Sequence, residues 1–138
     1  MGLFSRITGH IKDLYNMAIA VGNVIVLLDQ YDATNDNSIL PIAAWICKKG
    51  VQDIMLTGNM SPMYTINIVV DHRVHKMTVH EAYLKSIGRL SMIAGELAEQ
   101  DKEYILDIIN GEKPFSEVDS YLTEEKKHQL LKRYITFK

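Results

Sequence analysis

Apolar side chains recur along the start of the chain at Phe4, Ile7, Ile11, Leu14, Ala18, Val21, Ile25 and Leu28, in steps alternating three and four. That spacing holds one stripe on one side of a helix and predicts a helix over residues 3–30, with Arg6, His10, Lys12, Asp13 and Asn16 off the stripe. The same alternation fits a coiled-coil seam. From Met17 onward the segment is apolar nearly all round, so this half is expected to be enclosed by other elements. Gly22 either permits a close approach or breaks the helix. A break would leave residues 24–28 as a buried strand, which periodicity alone does not exclude.

Residues 32–38 (Asp-Ala-Thr-Asn-Asp-Asn-Ser) read as a loop of capping and turn formers. Ser38 suits the N-cap of a helix over 39–49, with Pro41 tolerated in its first turn and Gly50 at C′. Lys48 and Lys49 would then sit at the negative end of its dipole. Residues 51–56 favour no element, and 57–62 form a second loop. Residues 64–70 alternate as a strand should, Asp71-His72-Arg73 turn it, and 74–77 pair back. Such a hairpin (about 64–77) is marginal alone, so it must lie on the helices.

Thr78-Val79-His80-Glu81 is a capping box and opens a helix to about residue 100, with Ala82, Tyr83, Ile87, Leu90, Ile93, Ala94 and Leu97 inward. A shorter helix over 102–109 ends at Gly111. Pro114 opens a loop, and a last helix over 123–135 packs through Leu130, Leu131, Tyr134 and Ile135. Glu124 and Glu125 lie at its positive end and Lys132 and Arg133 at its negative end. The expected fold is mainly α: a compact helical domain around a long N-terminal helix, with one small β-hairpin. The 39–49 helix folds back along the first, and the 79–100 helix completes the core. Neither repeat nor linker divides the chain, so residues 1–138 are expected to form a single domain.

Composition narrows the role. A hydrophobic fraction of 47% is that of a globular protein. A net charge of −2 argues against a surface built for nucleic acid, so no nucleic-acid partner is expected. Cys47 is the only cysteine and sits in an apolar run, which suits a buried, reduced thiol in a reducing compartment. The most apolar block, residues 17–28, comes too late for a secretory signal, contains Asn23 and falls short of the roughly 20 residues that a membrane span needs. Arg6 stands where a myristoylation signal wants Ser or Thr. The expected location is cytoplasmic.

Motifs that carry chemistry are sparse. His72, His75 and His80 lie beside Asp71 and Glu81, and imidazole with carboxylate is a common zinc or non-haem iron set. Their spacing matches no closed ligand pattern, and no second histidine follows His80-Glu81 at helical spacing. A metal-binding protein or metalloenzyme using these three is the alternative reading; otherwise no cofactor is expected. Asp32, Thr34 and Asp36 alternate as in a calcium loop, but Asn37 replaces its glycine and Ala43 its bidentate acid. Gly111-Glu112-Lys113-Pro114-Phe115 copies a zinc-finger linker in a chain that lacks the cysteines for a finger. Cys47 with a distant histidine is a generic pair, and no nucleophile elbow or phosphate loop occurs. No catalytic residue is assigned, and the balance favours a non-enzymatic protein.

Charge supplies the leading expectation. Residues 1–70 hold nine charged side chains and residues 71–138 hold twenty-three. Between Glu96 and Glu125 ten acids stand against Lys102 and Lys113. An acidic face built from Glu96, Glu99, Asp101, Glu103 and Asp107 would steer a basic protein partner. The expected function is therefore a protein-binding module, of inhibitor or immunity type, that takes a basic partner. A solvated set of helix faces is the plainer alternative. Leu3, Phe4, Ile7 and Ile11, opposite Arg6, His10 and Lys12, suit three fates: packing in the protein's own core, self-association into a homo-oligomer, or contact with a membrane surface.

Overall fold

The computed structural model describes residues 3–57 and 61–111, with side chains from residue 13 onward, Thr57 excepted. Helix α1 (Leu3–Thr34) is followed by α2 (Ile39–Ile46), a π-helical turn (Cys47–Gln52) and α3 (Asp53–Thr57). The hairpin strands β1 (Thr65–Val70) and β2 (Arg73–Thr78) come next. Then follow α4 (Val79–Tyr83), a second π-helical turn (Leu84–Gly88), α5 (Arg89–Gly95) and α6 (Glu99–Ile109). The fold is mainly α with one antiparallel hairpin, as the patterning predicts. The expected helix over 123–135 lies outside the described residues.

Helix α1 runs unbroken through Gly22, so residues 24–28 are helix and not strand. At 1.5 Å per residue it is about 48 Å long. Asn35 ends it in the left-handed region (φ 54°), its N–H donating to the Tyr31 carbonyl at 2.7 Å. Asparagine tolerates this conformation and so serves as a stop. The side that meets the core differs from the expected stripe. Met17, Ala20, Val21, Val24, Leu27 and Leu28 are fully buried, whereas Leu14, Ala18 and Ile25 are only half-buried. The core face is thus turned by roughly 80° about the helix axis. The all-round apolar half is enclosed, as expected: α2 and the first π-turn cover one side and β1 another.

Ser38 is not the N-cap by side chain. It has helical dihedrals, and its hydroxyl donates to Asp36 Oδ1 at 2.7 Å. The same Asp36 oxygen accepts from the Ser38 N–H at 3.1 Å, so Asp36 caps this end. The helical path then continues past the expected stop through the π-turn to residue 57. Gly50 therefore lies inside a helix and not at C′. A Cβ there would stand 2.4 Å from the Ala20 Cβ, so the position answers to packing, not to capping.

The hairpin follows its pattern closely. Ile66, Ile68 and Val70 point to the core, with Met77 buried across from Ile66. Asp71 and His72 alone form the turn, both at positive φ (52° and 65°) with Val70 paired to Arg73, which makes it a type I′ hairpin. The capping box is present in full: Thr78 Oγ1 accepts from the Glu81 N–H at 3.1 Å, and Glu81 Oε1 accepts from the Thr78 N–H at 3.3 Å. The helix that it opens ends at Gly95, short of residue 100, because Ala98 adopts extended dihedrals (ψ 148°) and redirects the chain into α6. Gly111 closes α6 at φ 79°.

The two π-turns meet in the core, where the Cys47 thiol and the Ser86 hydroxyl are hydrogen-bonded. Ser86 donates its own proton to the Ala82 carbonyl at 3.0 Å and the Tyr83 carbonyl at 3.2 Å. Arg89 ties α5 to the end of α1: one guanidinium nitrogen lies 2.9 Å from Asp29 Oδ1, and the other bonds Asp32. Burial alone would lower the Arg89 pKa, but the hydrogen bonds to Asp32 and Asp29 raise it above its ordinary value.

Candidate functional site

Helix α6 carries most of the acidic residues singled out by charge. Ile105, Ile108 and Ile109 bury its inner side against α2 and α5. The 3.6-residue repeat therefore sets Glu99, Glu103 and Asp107 along the opposite, outward side, with Leu106 among them. Glu99 and Glu103 are exposed and Asp107 is half-buried. Glu96 is exposed in the turn before the helix. Asp101 departs from this group: it belongs to the first turn and turns round the helix toward α2. None of the five forms an ion pair with a described residue. Glu99 and Asp101 in the first turn also sit well with the positive end of the α6 dipole.

A groove of about 470 Å³ lies between α6 and the start of α2. Its apolar wall is Leu40, Pro41, Leu97 and Ile105, and Tyr104, Gln100 and Asp101 give it a polar rim. Asp101 thus belongs to the groove, whereas Glu99 and Glu103 are not among its lining residues. The acids are legible in the sequence, and the groove is not. Leu97 reads as an ordinary packing position, and the groove lies where α6, redirected at Ala98, meets the start of α2.

The histidines are placed apart. His72 lies in the hairpin turn, His75 in the exposed middle of β2, and His80 in the first turn of α4 at the other end of the hairpin. Six strand residues separate the first from the last, about 20 Å of extended chain. Among the described residues no three His, Cys, Asp or Glu side chains gather as a metal would need. The backbone of Leu3, Phe4, Ile7 and Ile11 belongs to α1, and their side chains lie outside the described set. No helix of the described residues is long and apolar enough to cross a membrane.

Cys47 is fully buried, and burial pushes its thiol far above the usual range; the hydrogen bond with Ser86 offsets only part of this. It is a packed core group and not a poised nucleophile. A second concavity, about 740 Å³, runs between the outer side of α1 (Ile19, Asn23, Val26) and β1 (Asn67, Val69). Asn23 Nδ2 is buried there without a hydrogen-bond partner among the described residues. No family model, curated protein or solved structure matches the chain.

Proposed function

We propose that the protein is a non-enzymatic binding module whose α6 face and adjoining groove take a basic segment of another protein, in the manner of an inhibitor or immunity-type protein. One observation carries this reading: a single helix, α6, presents an outward line of Glu99, Glu103 and Asp107, unpaired among the described residues, and on another side lines a groove with an apolar wall. Acids alone would steer a partner but hold it weakly. The groove adds what a stable contact needs, a desolvated anchor: an apolar side chain of the partner seated on Leu40, Pro41 and Leu97. A basic amphipathic helix satisfies both parts, with Lys or Arg on one side and Leu on the other. The buried reduced thiol of Cys47 supports a reducing compartment, and we place the module in the cytoplasm on that ground.

The test uses an amphipathic helical peptide of Leu and Lys as probe. Glu99→Lys with Glu103→Lys should weaken its binding about tenfold at low salt and flatten the salt dependence, as loss of two steering charges requires. Unchanged affinity and unchanged salt dependence would remove the proposal.

A further inference from the structure

The two edges of the hairpin are treated differently by the fold. The β1 edge is approached by α1 at Val69: a Cβ on Gly22 would lie 3.3 Å from the Val69 carbonyl oxygen. The β2 edge is uncovered among the described residues, with Arg73, Val74, His75 and Lys76 all exposed. Register fixes which backbone groups that edge offers. Val70 pairs with Arg73 across the two-residue turn, and the Val79 N–H donates to the Tyr64 carbonyl at 2.8 Å. Odd-numbered residues of this stretch therefore bond inward to β1, and Val74, Lys76 and Thr78 point their N–H groups outward. Thr78 is taken, since its N–H donates to Glu81 within the capping box. Val74 and Lys76 remain, two positions apart, each presenting a donor and an acceptor to the same side.

We propose that this edge of β2 receives an extended acidic peptide segment as a third strand. Backbone complementarity calls for an extended occupant, because Val74 and Lys76 repeat with the spacing of a strand. Charge selects its chemistry. β2 carries Arg73 and Lys76 and no acid, and neither cation pairs with a described residue. The carboxylates nearest in sequence are Asp71 in the turn and Glu81, one of whose oxygens is held by Thr78. Two copies of this chain joined β2 to β2 would instead crowd four cations into one small sheet, which like-charge repulsion opposes. The exposed pair Val69 and Val74, 63% and 65% accessible and facing each other across the strands, gives alternate apolar side chains of the incoming segment a surface to lie on. This surface is separate from the α6 groove, and its occupant has the opposite charge.

The experiment titrates the full chain with a capped hexapeptide alternating Glu and Val, and with its Lys and Val counterpart, while amide signals and exchange rates are followed by NMR. The acidic probe should slow exchange at Val74 and Lys76 about tenfold and leave β1 amides unchanged. Arg73→Glu with Lys76→Glu should weaken it about tenfold and favour the basic probe. Val74→Pro is the second variant: it deletes an outward donor that the hairpin itself does not use, so the fold is kept and strand addition is lost. Equal binding of both probes, or undiminished binding of the acidic probe to Val74→Pro, overturns the proposal. So does a concentration-dependent dimer abolished by Val74→Pro, which would make a second copy the occupant.

Discussion

Gly50 packs against Ala20 with no room for a methyl group: a Cβ at position 50 would stand 2.4 Å from the Ala20 Cβ. The contact joins the middle of α1 to the first π-turn and sets how closely these two segments approach. Both residues are fully buried within helical segments, so neither can swing aside.

Gly50→Ala should therefore destabilise the protein by about 1–3 kcal/mol, although alanine is the better helix former by about 1 kcal/mol. Ala20→Gly in the same chain should recover part of the loss. A urea-unfolding double-mutant cycle reads the coupling directly. Additive effects would mean that the two segments separate freely.

Cys47 gives stability a dependence on alkaline pH. Its thiol pKa is raised in the folded protein by burial, so above about pH 9 the unfolded chain ionises this group while the folded chain keeps its proton. The folded state then binds more protons, and stability falls as pH rises by up to about 1.4 kcal/mol per unit from this group. Cys47→Ala should remove that slope between pH 9 and 10.5 (whatever its effect at neutral pH), when unfolding curves of the two proteins are compared.

Thr78→Ala removes the hydroxyl that accepts from the Glu81 N–H, while the residue 78 N–H that donates to Glu81 is kept, and should cost about 1 kcal/mol, measured by thermal unfolding. Thr78→Ser, which keeps the oxygen, should cost a small fraction of that. The box was readable in the sequence because all its parts lie within four residues.

Other features were readable only in part, for a physical reason that recurs. The spacing of α1 predicts its existence, but Met17 to Leu28 is apolar on every side, and which side meets α2 is decided by elements far along the chain. Gly50 has the composition of a helix stop, yet its use is set by Ala20, thirty residues earlier. Glu99 and Asp101 look equivalent as charges. The start of α6 at Glu99 separates them, sending one to the outer face and the other to the groove. His72, His75 and His80 are close in sequence and apart in space because an extended strand lies between them. Local chemistry was legible, whereas long-range contact was not.

The central claim is that the α6 face and its groove act as one binding surface, and chemical-shift mapping with the Leu and Lys peptide tests it most directly. The expected result is a set of shifted amides at Leu40, Leu97, Glu99, Glu103 and Tyr104, which needs about tenfold more peptide to saturate in the Glu99→Lys, Glu103→Lys protein. Shifts confined to other parts of the chain, or affinity unchanged by both substitutions, would contradict the account.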